Sequence, residues 1–291
     1  MIRGALLALV LALPAVAGEE RVALSVAGAE MAGTLALPEA AAGPVPAVLL
    51  LHGFLGTRDE LAVAGTGEGV FARTARVLAE AGWASLRIDF RGSGDSGGAW
   101  ADTTFSGQAI DAAQALGWLA AHPAVDPARV AVLGWSQGGL VAAHVAAARP
   151  DAVAAVVLWA PVNDATDVYA RLLGADTLAR ALAMPSSLPV TAALPWGGET
   201  TLKASFFHEM PATDPVAALA RYTGPALIMV GTRDTLVAPQ PAAGEVFARY
   251  HPGPTRVSVR DTDHIFGVDT GPEVLDDMLA ETLAWLAEPG W

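Results

Sequence analysis

The sequence predicts an α/β fold, a mostly parallel sheet with helices on its faces. Three observations carry that prediction. Short apolar runs alternate with longer helix-like stretches over residues 47–159, and again over 225–287. The apolar runs are continuous rather than alternating, which suits strands buried on both faces. One of them, 130–133, enters Gly134-Trp135-Ser136-Gln137-Gly138 and continues into an Ala- and Val-rich helical stretch, so a strand turns sharply into a helix around a single serine.

Taken in order, 22–26 and 31–37 alternate with small residues around Ala27-Gly28-Ala29-Glu30, which predicts an antiparallel hairpin at a sheet edge. Residues 47–51 form the first buried strand and end in His52-Gly53-Phe54. A helix over 69–81 places Val70, Ala75, Val77 and Leu78 in the core, and Gly82 stops it. The strand 83–88 leads to a loop at 89–98, where Asp89 and Arg91 are expected to pair within a structural turn. That loop has neither the Lys nor the following helix of a phosphate cradle.

A helix over 105–121 and Asp126-Pro127-Ala128-Arg129 introduce the strand before Ser136. The helix after it covers 138–149, and 153–159 is another buried strand. Strands in such an alternation pair in parallel through right-handed crossovers. The rhythm then breaks. Residues 162–223 hold short helical pieces, five prolines and a Trp196-Gly197-Gly198 turn, and the stretch is too long for a simple loop. A lid over the carboxyl edge of the sheet is expected there, with Trp196, Phe206 and Phe207 as candidate substrate contacts, at least one of them meeting substrate while the lid also buries its own underside. The sheet resumes at 225–230, a helix covers 240–250, the last strand is 256–260, and a helix from 272 to about 287 closes the chain.

Serine needs a base to take its proton, and the base needs a third group to fix its tautomer. Asp234 follows the strand after the lid, and His264 follows the final strand. Both lie beyond the carboxyl ends of parallel strands, the edge at which Ser136 emerges. The order Ser, acid, His fits this architecture. The backbone N–H groups of Phe54 and Gln137 are the candidate oxyanion donors. His52 is expected to order its loop, and Asp214, in the lid before Pro215, to form an Asx turn or a helix cap. Asp261 and Asp263 are expected to shape the loop of His264, and His251 to be a solvated helix end. His122, His144 and His208 lie in a helix end, a helix and the lid. No metal-ligand spacing such as H-E-x-x-H occurs.

Composition sets bounds. With 291 residues, 53% of them hydrophobic and 16% charged, one large domain with a substantial core is expected. A formal charge of −13 makes nucleic acid a poor partner. There is no cysteine, hence no disulfide, thiolate metal site or cysteine nucleophile. The N-terminus has the pattern of a secretory leader: Arg3, an apolar core at 5–13, Pro14, and Ala15-Val16-Ala17 before the expected cleavage. The apolar run is too short for a permanent transmembrane helix. The expected organisation is a leader at 1–17 and a domain at 18–291, with its core at 18–161 and 224–291 and the lid at 162–223. A secreted or periplasmic bacterial protein with no stable membrane insertion follows. Loss of Arg3 takes its formal charge from −13 to −14.

His52-Gly53-Phe54, Asp89-Phe90-Arg91-Gly92-x-Gly94-x-Ser96, Gly134-x-Ser136-Gln137-Gly138-Gly139, Gly231-x-x-Asp234 and Asp263-His264 occur in the order of a known superfamily. The chain resembles the α/β-hydrolases. Within them it is similar to serine esterases of the cinnamoyl and feruloyl type, and to dienelactone hydrolase-like and serine aminopeptidase-like proteins. The resemblance implies an α/β-hydrolase fold, with a mostly parallel eight-stranded sheet flanked by helices and a lid after strand 6. It further implies Ser136 as nucleophile, His264 and Asp234 as its partners, a small-molecule ester as substrate, and no cofactor. Ser93 stands where many relatives carry His. A peptidase or amidase with the same residues is the nearest alternative, and a non-catalytic binder that retains the fold a more distant one. Dehalogenase or epoxide hydrolase chemistry is disfavoured, because the elbow carries Ser rather than Asp.

Overall fold

In the computed structural model, residues 18–39 and 41–288 are described. The expected leader, 1–17, lies outside them. The main sheet begins with two strands, β1 (Gly18–Val26) and β2 (Ala29–Leu37), paired antiparallel. Then come β3 (Val45–Leu51), α1 (Val70–Glu80), β4 (Ala84–Ile88), α2 (Phe105–Ala120), β5 (Val125–Trp135), α3 (Gln137–Ala148) and β6 (Ala155–Trp159). An insertion follows, built from α4 (Ala165–Leu173), α5 (Ala175–Leu182), β7 (Pro189–Ala193), β8 (Glu199–Lys203), α6 (Ala204–Glu209) and α7 (Pro215–Leu219). The chain ends with β9 (Ala226–Gly231), α8 (Ala242–Tyr250), β10 (Thr255–Arg260) and α9 (Glu273–Leu286).

Among the described residues the sheet has eight strands in the order β1-β2-β4-β3-β5-β6-β9-β10. From β4 to β10 every pairing is parallel, and only the hairpin and its junction with β4 are antiparallel. The continuous apolar runs have a simple cause. Within β3, Ala47, Leu49 and Leu51 face one core, and Val48 and Leu50 the other. In β5, Val130 and Val132 face the first core, while Ala131, Leu133 and Trp135 face the second. The first core is covered by α2, α3 and α8, the second by α1 and α9. A strand with period-2 side chains and an apolar layer on each side has no position left for a polar residue.

Three expectations need correction. Asp89 and Arg91 do not pair. Asp89 is fully buried and holds Arg58, whose backbone N–H and guanidinium both reach its carboxylate. Arg91 turns the other way and binds Asp111 on α2, Nε to Oδ1 at 2.5 Å. Arg91 is thus committed to another buried carboxylate, while Arg58, buried in the loop after β3, bridges Asp89 and Asp95. His251 is not a solvated cap. It is 7% exposed, stacks on Tyr222 and has Nδ1 2.7 Å from Thr255 Oγ1. On α1, Phe71 and Thr74 are buried, whereas Val77 is only half-buried.

The insertion also differs from an assembly of helical pieces. Its centre is an antiparallel hairpin, β7–β8, turning at Trp196-Gly197-Gly198, with both glycines at positive φ. Its helices α4, α5 and α6 bury Tyr169, Leu172, Leu178, Phe206 and Phe207 in the first core. The last helix, α7, packs on α3 and α8. Asp214 caps α7 by accepting the Ala217 N–H at 2.8 Å, the second of the two roles its place before Pro215 allows. Among the described residues no helix is long and apolar enough to cross a membrane.

Candidate active site

The site forms where β3, β5, β9 and β10 end. Ser136 is the single residue between β5 and α3, with φ 54° and ψ −115°. A non-glycine residue there is strained by about 1–3 kcal/mol, and the surroundings hold it. Its N–H donates to Trp159 O at 2.8 Å, and its carbonyl accepts from Gly139 at 3.0 Å and Val162 at 3.1 Å. The flanking glycines are required by space. A Cβ on Gly134 would sit 2.1 Å from Gly138 O, and one on Gly138 1.9 Å from Leu51 O. Helix and strand pack backbone to backbone, and the hydroxyl is left at the tip of the turn.

His264 lies in the loop between β10 and α9. Asp263 Oδ1 accepts the N–H groups of Ile265 and Gly267, and Trp135 Nε1 donates to His264 O at 3.2 Å. Asp263 therefore shapes the loop, as its position suggests. Asp234 follows β9 and is 4% exposed. Its Oδ1 accepts from Leu236 at 2.8 Å and Val237 at 2.9 Å, and its Oδ2 faces His264 Nδ1 at 2.7 Å. A carboxylate only accepts, so Nδ1 is the donor and Nε2 is free to accept. His264 Nε2 lies 3.0 Å from Ser136 Oγ. Residues 136, 234 and 264, far apart in sequence, thus form one hydrogen-bonded chain.

On the other side of Ser136 is the loop after β3. His52 is fully buried; its Nδ1–H donates to Gly53 O at 2.8 Å and its Nε2 accepts the Phe90 N–H at 3.1 Å. Burial pushes its pKa down to about 4, against weaker upward pulls from the Gly53 carbonyl and the Asp89 charge. A neutral ring bridging two strand ends orders the loop and cannot also serve as the base. Among the described residues the backbone N–H groups of Phe54 and Gln137 have no hydrogen-bond acceptor. The Gln137 side chain is buried and anchored, with Tyr169 donating to Oε1 and Nε2 donating to Gln108 at 2.6 Å.

Ser136 and His264 open on a cavity of about 490 Å³. Its walls are mostly apolar, from Phe54, Leu61, Trp135, Leu172, Leu236 and Ile265. Trp196 reaches it from the hairpin turn and is 58% exposed. Phe206 and Phe207 do not. They are 0% and 1% exposed, and Phe206 stacks on Phe105 at 4.6 Å and lies behind Phe54. Of the three candidate contacts, of which at least one is expected to meet substrate, Trp196 lines the cavity and these two pack beneath the insertion. Sequence reasoning missed Leu172 and Leu236, which only the fold brings to the cavity, and Glu60, for which Gly53 and Gly56 were the available signal. Among the described residues no group of three or more His, Asp or Glu side chains could hold a metal ion.

Comparison with known proteins adds to this geometry. The family described as the alpha/beta hydrolase fold matches residues 46–198, which include Phe54, Ser136 and Gln137 and end before Asp234 and His264. An uncharacterized protein of Mycobacterium tuberculosis is 37% identical over 136 residues, 46% of this chain and 42% of that protein. The chain thus aligns with less than half the length of that curated relative. Among solved structures, Est1E from Butyrivibrio proteoclasticus with ferulic acid bound superposes with a TM-score of 0.71 at 20% identity, covering 90% of this chain and 99% of that one. The alpha/beta hydrolase GrgF from Penicillium sp. sh18 gives 0.72 at 19% identity, over 92% and 98%. A dienelactone hydrolase from Anabaena variabilis gives 0.59 at 20% identity, over 92% and 96%. At these identities the likeness is one of fold.

Proposed function

The chain belongs to the α/β-hydrolase family, and on that premise we propose that it is a serine hydrolase of carboxylic esters, using Ser136, His264 and Asp234. The hydrogen-bonded chain from Ser136 Oγ through the imidazole to Asp234 carries the reading. Nε2 takes the hydroxyl proton as Oγ attacks the ester carbonyl. Asp234 holds the ring with Nδ1–H toward its carboxylate and stabilises the imidazolium that forms. Negative charge on the former carbonyl oxygen is met by the N–H groups of Phe54 and Gln137, the second of them at the N-terminus of α3. Each such donor is worth about 3–4 kcal/mol in comparable sites. The imidazolium returns its proton to the leaving alcohol, and the neutral ring then activates water to release the acid. No step of this sequence calls for a cofactor.

The apolar cavity favours a small ester with an apolar body, and Trp196 is proposed to touch it. Export through the leader at 1–17 is part of the proposal. Edman sequencing of protein recovered from the periplasm or medium should begin near Gly18; a chain starting at Met1 would remove that part.

The test of the chemistry is labelling by a fluorophosphonate together with hydrolysis of a p-nitrophenyl ester. Ser136→Ala should abolish labelling and lower kcat by about 10⁵–10⁶-fold, as in comparable triads. Folded protein that neither labels nor turns over would favour a binding role. A higher kcat/KM on an aminoacyl anilide than on the ester would move the assignment to a peptidase or amidase.

A further inference from the structure

Among the described residues, Glu60 is the one ionisable side chain besides His264 in the wall of the Ser136 cavity. Several features hold it there. Its own backbone is in the left-handed region, φ 61°, which non-glycine residues rarely adopt. The turn is closed by the Glu60 N–H donating to Thr57 O at 3.0 Å. The carboxyl is thereby folded back between Gly53 and Gly56. Oε1 accepts the Gly53 N–H. A Cβ on Gly56 would meet Oε1 at 2.6 Å and Oε2 at 3.0 Å, so only glycine leaves room for the carboxyl at that point.

The same group is close to the chemistry. A Cβ on Gly53 would lie 3.4 Å from Glu60 Oε1 and 3.5 Å from Ser136 Cβ. The carboxyl oxygen and the serine Cβ are therefore at most about 7 Å apart, on one side of Gly53. Yet among the described residues no Arg, Lys, His or side-chain hydroxyl donates to this carboxyl, and only backbone N–H groups face it. Burial consequently dominates and pushes its pKa up to about 7. A carboxyl set into an apolar cavity wall, with lone pairs to spare and no cation, is costly unless a ligand supplies the donor.

Resting on the esterase reading, we propose that Glu60 is a specificity-determining acceptor: it selects substrates that carry a hydroxyl or ammonium donor within a few bonds of the scissile carbonyl. The donor reaches the free lone pairs of the carboxyl while Oε1 keeps the Gly53 N–H. A plain alkyl ester leaves those lone pairs desolvated and unpaired, and is discriminated against for that reason.

Glu60→Gln separates the two duties of the residue. The amide oxygen can still accept the Gly53 N–H, but its NH₂ then faces the cavity and cannot accept a donor. Two matched pairs are assayed: ethyl 3-hydroxybutyrate against ethyl butyrate for the acyl side, and 2-hydroxyethyl butyrate against ethyl butyrate for the alcohol side. The native protein should favour the hydroxylated member of at least one pair by tenfold or more in kcat/KM, and Glu60→Gln, whose uncharged NH₂ can only donate to the hydroxyl oxygen, should cut that ratio severalfold. Fluorophosphonate labelling of Ser136 is measured on both proteins. Labelling with ester turnover but no hydroxyl preference in either pair, or a preference that Glu60→Gln leaves intact, overturns the role of Glu60 alone. Loss of labelling and of all turnover in the native protein overturns the esterase reading instead.

Discussion

Acid should loosen the loop after β3 by a calculable amount, because His52 is folded in its neutral form. In the native state its pKa is down to about 4, with burial as the main cause; in the unfolded chain it returns to the ordinary value near 6.5. Between those values the unfolded chain binds the proton and the native ring does not. Stability therefore rises with pH across the window and is lost as pH falls from about 6.5 toward 4. At about 1.4 kcal/mol per pH unit, the full window removes about 3 kcal/mol. The geometry gives the loss a direct meaning, since a protonated Nε2 can no longer accept the Phe90 N–H. The measurement is urea unfolding at pH 7 and pH 4 for the native protein and for His52→Gln, which has no proton to gain. His144 and His251, also lowered by burial, and Glu60, raised by burial and so opposite in sign, act in both proteins and cancel in the difference. His52→Gln should be the less stable protein at pH 7 and should lose about 3 kcal/mol less on going to pH 4. Parallel losses in the two proteins would refute the reasoning.

Trp196→Ala and Phe206→Ala should part ways. The first removes an exposed cavity wall and should raise KM for aromatic or apolar esters severalfold with little change in Tm. The second empties a buried aromatic cluster and should cost about 3–5 kcal/mol in urea unfolding. Gly134→Ala drives a Cβ into the Gly138 carbonyl, so it should destabilise by about 3 kcal/mol or more and lower kcat through displacement of Ser136; unchanged kcat and stability would contradict the close approach of β5 and α3. Asp89→Asn removes one of the two carboxylates that hold buried Arg58, leaving Asp95, and should cost about 1–3 kcal/mol by chemical denaturation, with no change in which esters are preferred.

What was legible in the sequence follows from how local its cause is. The parallel sheet could be read because strands buried on both faces must be apolar at every position, and the runs at 47–51, 130–133 and 225–230 are. The elbow could be read because Gly134 and Gly138 are fixed by a backbone contact inside one turn. Asp234 and His264 could be placed because parallel strands deliver their carboxyl ends to one edge whatever lies between them. The misreadings have the opposite character. Arg58, not Arg91, pairs with Asp89, since the choice of cation depends on which side chain the packed loop after β3 shields. Which of Trp196, Phe206 and Phe207 meets the cavity is not legible, because an aromatic that seals a lid and one that meets substrate have the same composition; only burial tells them apart. Glu60 is hard to read for a further reason. Its position depends on a left-handed backbone at residue 60 and on the missing Cβ of Gly56, whose place the carboxyl takes; Gly53 and Gly56 mark the loop, but no period or spacing points to residue 60. Residues that shape the chemistry through the fold's regular parts are written in the sequence as patterns, whereas those that set selectivity sit in its irregular loops and must be read from the space around them.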